Sequence, residues 1–115
     1  MEPVVVRETF FSLAVLDMAR ATRFYTRAFG ATVSFSSASW SSLHIAGVRV
    51  GLALNADHEG GPTGLYFVVD DLERAGAEIE RAGGHVASSP IELTPGVVLV
   101  RCTDSEGNGL MLRRT

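Results

Sequence analysis

The amino-acid sequence predicts an α+β fold in which two βαβββ modules form a curved mixed sheet around a trough. The main observation is an internal repeat, because residues 10–33 reappear 54 positions later as apolar strand, Asp, helix and Gly. Seven residues recur at that offset: Val15, Asp17, Arg20, Ala21, Arg27, Ala28 and Gly30. The second observation is that segments with the alternating residue pattern of β-strands follow each predicted helix. One helix covers only one face of its sheet, so we expect the other face to enclose a ligand or meet a partner.

The first module is predicted at about residues 10–55 and begins with a strand at 10–16. Asp17 is the predicted N-cap of the helix because its carboxylate can accept hydrogen bonds from free backbone amides. Apolar residues at helical spacing predict a helix to about Phe29, and Gly30 is predicted to end it. Three strands follow, at about 32–37, 40–46 and 48–55.

Residues 56–63 contain polar residues, Gly and Pro, which predicts a linker between the modules. The second module is predicted at about 64–114 and repeats the plan of the first. It comprises a strand at 64–69, a helix capped by Asp71 that runs to about Ala82, and strands near 85–91, 97–103 and 109–114. The segment at 104–108 contains Asp, Gly and Asn, which predict a tight turn between the last two strands.

Length and composition predict one domain over residues 1–115. The net charge of −3 argues against nucleic acid as a partner, since nucleic-acid binding favours a basic surface. No apolar run approaches the ~20 residues of a membrane span, so we expect no membrane partner. Cys102 is the only cysteine, and the first residues do not resemble a signal peptide. These features predict a cytoplasmic protein.

Three short motifs occur in order along the repeat. Residues 13–17 read Leu-Ala-Val-Leu-Asp, residues 67–72 read Phe-Val-Val-Asp-Asp-Leu, and residues 104–108 read Asp-Ser-Glu-Gly-Asn. Together they resemble the vicinal oxygen chelate superfamily, which includes glyoxalase I, bleomycin-resistance proteins and extradiol dioxygenases. The turn departs from the family pattern, because Ser105 stands where the family has proline. The resemblance covers residues 10–114 and implies the family's fold, with a homodimer that completes the trough across its interface.

Enzymes of this family hold a divalent metal ion through His, Glu or Gln side chains in the trough. The resemblance places those four ligand positions on Phe10, Gly51, Gly64 and Met111. None of these residues offers an oxygen or nitrogen donor on its side chain, and hard divalent metals need such donors. We therefore predict no metal and no other cofactor.

Alternation along the strands predicts which other side chains share the trough with those four positions. In the strand at 48–55, Arg49, Gly51, Ala53 and Asn55 are predicted to face the trough, and the alternating Val48, Val50, Leu52 and Leu54 to face the opposite side. The candidate ligand-binding residues are Phe10, Ser12, Trp40, His44, Gly51, Asn55, Gly64, Tyr66, Arg101 and Met111. The aromatic members could stack on a planar ligand, and Arg101 could meet an anionic group. No catalytic residue is assigned.

The favoured hypothesis is metal-free binding of a small, partly aromatic molecule, which is not an enzymatic activity. The first alternative is a metal-dependent lyase, isomerase or dioxygenase with relocated ligands from His44, Asn55 and residues 57–59. The second is a metal-free enzyme that uses His44 or Tyr66 as acid or base and Arg101 to hold a carboxylate. The third is an interaction module whose trough is filled by its own side chains.

Overall fold

The computed structural model describes residues 1–114. The first half contains β1 (Phe11–Val15), α1 (Met18–Phe29), β2 (Thr32–Ser36), β3 (Trp40–Ile45) and β4 (Val48–Leu54). The second half contains β5 (Gly61–Val69), α2 (Leu72–Arg81), β6 (His85–Val86), β7 (Ile91–Thr94), β8 (Val97–Thr103) and β9 (Asn108–Arg114). Residues 1–10 precede β1 as an exposed arm without regular secondary structure.

The predicted helix caps are confirmed. The side chain of Asp17 accepts a hydrogen bond from the Arg20 amide at 3.0 Å, and Asp71 accepts one from the Arg74 amide at the same distance. α1 ends at Gly30, whose φ of 65° lies in the left-handed region that glycine adopts without steric penalty. The repeated Asp residues therefore begin both helices at equivalent positions.

Two strand boundaries differ from the prediction. β5 begins at Gly61, inside the predicted linker, because Gly61 and Pro62 pair with β9 before a register shift that precedes Leu65. The strand predicted near 85–91 is shortened to the two residues of β6, and β7, at 91–94, was not predicted. Pro90 lies just before β7, and proline has no amide hydrogen to donate to a strand ladder.

The α+β class is confirmed, and the strands form two mixed sheets where the sequence predicted one curved sheet. The first sheet has the order β1-β4-β3-β2, and the second has the order β5-β9-β8-β6 with β7 also paired to β8. β1 runs parallel to β4 and β5 runs parallel to β9. β1 and β5 are thus edge strands of different sheets.

One hydrophobic core joins the two halves. Its fully buried residues come from both helices and both sheets, including Phe24, Leu52, Ile79 and Leu112. α1 and α2 contact each other, and the Phe29 ring stacks on Phe67 at 4.1 Å between ring centroids. This packing covers one face of each sheet and leaves the opposite face for another role. Neither helix in residues 1–114 has the length and apolarity needed to cross a membrane.

The turn at residues 104–108 connects the halves. Glu106 Oε1 accepts hydrogen bonds from the Leu16 and Asp17 amides, both at 2.9 Å, and Oε2 accepts one from Arg20 Nε at 2.8 Å. Burial opposes ionisation of Glu106, but hydrogen bonds from Arg20, Ser105 and the two amides outweigh it and lower its pKa to about 2. A charged carboxylate of the second half therefore holds the start of α1.

Two further bonds strengthen this connection. The Tyr25 hydroxyl of α1 donates to Asp104 Oδ2 at 2.5 Å, and Asn108 Nδ2 donates to the Ala14 carbonyl at 2.9 Å. Burial, followed by the nearby Asp104 charge, raises the pKa of Tyr25 well above its usual value. The predicted turn is thus present, and its Asp, Glu and Asn side chains are buried between the two halves.

Candidate functional site

The face of the first sheet away from the helices carries the aromatic and cationic residues of the first module. Cross-strand partners share a face of a sheet. The pairs on this face are Trp40 with Ala53, Ser42 with Gly51, and His44 with Arg49, and Ser12 of β1 lies beside Gly51. The opposite face presents Leu43 and Val50 to the core. The predicted alternation of β4 therefore holds in the structure.

The Trp40 side chain covers Gly51. A Cβ atom placed on Gly51 would overlap the six-membered ring of the Trp40 indole, so this packing requires glycine. The Phe10 ring meets Trp40 edge-on, with 6.1 Å between ring centroids and 82° between planes. An aromatic surface therefore fills the space in which a side chain at position 51 would otherwise extend.

Arg49 lies beside this aromatic surface and is held by three contacts. Its guanidinium carbon lies 4.4 Å from the centroid of the Phe10 ring, in cation–π geometry. Its Nε donates to Ser42 Oγ at 2.9 Å, and its Nη1 donates to Glu8 Oε1 at 2.8 Å. The guanidinium is therefore fixed in position by the sheet and by the arm.

A register shift in β2 adds another aromatic side chain. The shift falls between Val33 and Phe35, so that Phe35 pairs with Ser42. Phe35, Trp40, His44 and Arg49 border a cavity of about 510 Å³. The remaining residues of its lining are Glu8, Ser34 and Ser42.

The second sheet has a separate cavity of about 560 Å³ on its face. Four of the predicted ligand-binding residues border it: Gly64, Tyr66, Arg101 and Met111. Tyr66 is 53% exposed, and Met111 is its cross-strand partner on β9. This surface offers an aromatic ring, a thioether and a guanidinium to a ligand.

The structure thus divides the predicted ligand-binding residues into two groups. Trp40 and His44 border the first cavity, with Phe10 and Gly51 in contact with Trp40, whereas the second cavity shares no lining residue with the first. Ser12 is exposed on β1 beside Gly51. His44 and Tyr66, considered as acid or base, border different cavities.

Asn55 borders neither cavity. Its Oδ1 accepts a hydrogen bond from the Asp57 amide at 3.0 Å, and its own amide donates to the Val15 carbonyl at 2.9 Å. An Asn side chain that bonds to the amide two residues onward stabilises a turn. Asn55 thus shapes the chain as it leaves β4.

The residues at the four positions that the resemblance assigns to metal ligands do not fit a divalent ion. Phe10 and Met111 offer a ring and a thioether, Gly51 and Gly64 have no side chain, and the ring of Trp40 covers Gly51. Within residues 1–114, no three His, Cys, Asp or Glu side chains come together as possible metal ligands. The relocated set from His44 and residues 57–59 is therefore not assembled into a site in this part of the chain.

Cys102 is buried on the core side of β8, which agrees with its interpretation as a small apolar residue. Burial, followed by the Asp104 charge, raises the pKa of its thiol to about 11. The thiol is therefore protonated at neutral pH and buried, without the properties of a nucleophile.

A larger cavity, of about 840 Å³, lies on the helix side of the second sheet. Its floor includes Leu72, Val86 and Val100, and its rim includes carboxylates from the start of α2. One of these, Asp71, already acts as the N-cap of α2. None of the candidate ligand-binding residues borders this cavity. We therefore place the candidate site on the two exposed sheet faces.

Five residues that line the first cavity were not among the predicted site residues, and three of them, Glu8, Phe35 and Arg49, carry charged or aromatic side chains. Arg49 was predicted to face the trough, but no sequence feature separates it from an exposed strand arginine. In a regular strand, Phe35 would lie on the same face as Val33. The register shift that turns Phe35 toward the cavity leaves no distinctive sequence signal. Glu8 reaches Arg49 across 41 residues of sequence, a contact that local pattern cannot predict.

Comparison with known proteins agrees with the architecture. The structure is similar to the genomically encoded fosfomycin resistance protein FosX from Listeria monocytogenes, with a TM-score of 0.81, 15% identity, and coverage of 97% of this chain and 95% of that chain. A glyoxalase/bleomycin resistance protein/dioxygenase family enzyme from Burkholderia phytofirmans PsJN gives a TM-score of 0.77, 18% identity, and coverage of 91% and 95%. FosX from Mesorhizobium loti gives 0.74, 16%, and coverage of 97% and 94%.

At these identities, the structural likeness shows the fold alone. No curated protein matches the sequence. The family model of the Glyoxalase/Bleomycin resistance protein/Dioxygenase superfamily matches residues 8–112, which include both sheets and both helices. The chain therefore belongs to the Glyoxalase/Bleomycin resistance protein/Dioxygenase superfamily.

Proposed function

We propose that this protein binds a small, partly aromatic molecule in its trough without a metal ion. The observation that carries the proposal is the packing of Trp40 over Gly51, beside Phe10. Gly51, a position that the resemblance assigns to a metal ligand, is thereby covered by an aromatic ring. The chemistry available at this surface is stacking and shape complementarity, and ring–ring contacts contribute about 0.5–1.5 kcal/mol each beyond area burial.

We further propose that a second copy of the chain completes the trough as a homodimer. The two groups of predicted site residues lie at separate cavities. We call Phe10, Trp40, His44 and Gly51 the Trp40 half-site, or first half-site, and Gly64, Tyr66, Arg101 and Met111 the Tyr66 half-site. The molecule is flat, with dimensions of 42 × 38 × 25 Å. Apolar side chains on the edge strands β1 and β5 are exposed, among them Phe11 and Val68. Unpaired strand edges favour association with another chain. A partner would place the Tyr66 half-site of one copy opposite the Trp40 half-site of the other.

Fluorescence titration tests the binding proposal, because Trp40 is the only tryptophan and lies in the proposed site. The panel contains aromatic acids, aromatic amides, bleomycin and fosfomycin, the last chosen because two similar structures are named fosfomycin resistance proteins. Each titration is run with EDTA present. We expect saturable quenching by at least one aromatic compound, with a matching rise in Tm.

Two results would contradict the proposal. Binding that EDTA abolishes and zinc, nickel, iron or manganese restores would establish a metal-dependent site. A panel in which no compound quenches Trp40 or raises Tm would favour an interaction module with a self-filled trough. Sedimentation analysis tests the dimer separately, and a monomer at all concentrations would contradict it.

A further inference from the structure

The Arg49 guanidinium at the first half-site is already paired with a carboxylate of the protein. Glu8 of the exposed arm accepts a hydrogen bond from Arg49 at 2.8 Å, and both residues border the cavity. Ser42 and the Phe10 ring hold the guanidinium from two other directions. The half-site is thus shaped around one guanidinium, one carboxylate and the neighbouring rings of Trp40 and Phe35.

The carboxylate of Glu8 is weakly held. Its side chain is 53% exposed and that of Arg49 is 29% exposed, and ion pairs with such access to water contribute little to stability. Residues 1–10 have no strand or helix that would fix Glu8 in place. Arg49 lies on β4 and keeps its contacts with Ser42 and the Phe10 ring without Glu8, whereas Glu8 itself lies on the exposed arm. Another carboxylate can therefore exchange with Glu8 without disturbing the fold.

We propose that the ligand carries a carboxylate next to a planar ring, that Arg49 binds this carboxylate, and that Glu8 takes its place in the unliganded protein. This inference rests on the proposed function and names the ligand class of the same site. Arginine pairs with carboxylates through parallel N–H donors, and this geometry sets the orientation of the acid. The ring then lies against Trp40 and Phe35, and the arm is released when Glu8 is displaced.

Calorimetric titration with paired probes tests the inference. The acids are phenylacetate and 2-naphthoate, and the neutral probes are phenylacetamide and 2-naphthamide. In the wild-type protein, we expect each acid to bind about tenfold to a hundredfold more tightly than its amide, as hydrogen bonds to charged groups allow. The preference weakens as salt is added, because the Arg49 site is partly exposed.

The variants separate the roles of the two charged residues. Arg49→Gln removes the preference for the acid, and Arg49→Lys restores only part of it, since lysine lacks the planar fork of donors. Glu8→Gln removes the internal competitor and raises acid affinity about twofold to fivefold. Arg74→Gln is the matched control, because Arg74 is an exposed arginine on α2 outside both cavities.

The outcomes distinguish this inference from the proposed function. Amides that bind as tightly as acids would overturn the inference and leave aromatic binding in place. An acid preference that persists in Arg49→Gln but disappears in Arg101→Gln would also overturn it, and would move the anion site to the second sheet. Failure of all four probes, with binding of another compound from the fluorescence panel, would overturn the inference alone, and failure of that whole panel as well would overturn both. Because Glu8 lies on the exposed arm, Glu8→Gln keeps the test valid even if an Arg49 variant fails to fold.

Discussion

Replacing Glu106 with glutamine should destabilise the fold by weakening the connection between the second half of the chain and the start of α1. The Glu106 side chain is fully buried, and its two oxygens accept hydrogen bonds from the Leu16 and Asp17 amides and from Arg20. A glutamine at this position keeps one oxygen but directs an amide nitrogen toward these donors. It also leaves Arg20 without its partner carboxylate.

The pKa of Glu106 sets the size of the effect. Its folded-state value of about 2, against the ordinary 4.5, corresponds to about 3 kcal/mol of stabilisation at neutral pH. Arg20 is 44% exposed, so solvent screening reduces this figure, and we expect about 2 kcal/mol. Because the folded pKa is the lower one, this stabilisation is present above pH 4.5 and is lost as the pH falls toward 2. At pH 3, roughly half or less of it remains.

Urea denaturation at several pH values measures this contribution. At pH 7, we expect Glu106→Gln to lower the free energy of unfolding by about 2 kcal/mol, since it removes the charge from a buried hydrogen-bonded network. The gap between wild type and variant should narrow between pH 5 and 3. Glu92→Gln, at an exposed position on β7, is the charge-matched control and should change stability by less than about 0.5 kcal/mol. A Glu106→Gln variant as stable as this control, or a gap independent of pH, would refute the reasoning.

Two substitutions and one labelling experiment test the other side-chain contacts. Tyr25→Phe should lower the free energy of unfolding by about 1.5–3 kcal/mol in urea, because it removes the hydroxyl that donates to Asp104, and an unchanged midpoint would contradict the bond. Gly51→Ala should displace the Trp40 indole and shift its fluorescence to longer wavelength, whereas an unshifted spectrum would show that the indole does not lie over residue 51. Cys102 should resist a thiol reagent at pH 8 in the native protein and react in urea, since its pKa is raised to about 11; fast native labelling would contradict its burial.

The elements with strong local signals were predictable from the sequence. Asp17 and Asp71 begin the helices and Gly30 ends the first, because capping depends on bonds within a few residues. Alternation along β4 was also sufficient to place Gly51 and Arg49 on the face away from the core. Local pattern failed at β5, where Gly61 and Pro62 are strand residues only because β9 pairs with them.

The candidate site was predictable in part. The sequence indicated which residues lie on the trough face, but not that Trp40 would fold back over Gly51, since that packing depends on the conformation of one side chain. The sequence-based prediction also grouped residues of both sheets in one site, whereas Trp40 and Tyr66 border separate cavities. The Arg49–Glu8 pair joins residues far apart in sequence and depends on tertiary structure alone.

Elemental analysis of the protein, purified without a histidine tag, tests most directly whether an aromatic surface has replaced the metal site. The packing of Trp40 over Gly51 and the lack of donors at Phe10, Gly64 and Met111 predict zinc, nickel, iron and manganese far below one ion per chain. One ion bound per chain, retained through dialysis, would contradict the claim that this trough binds its ligand without a metal ion.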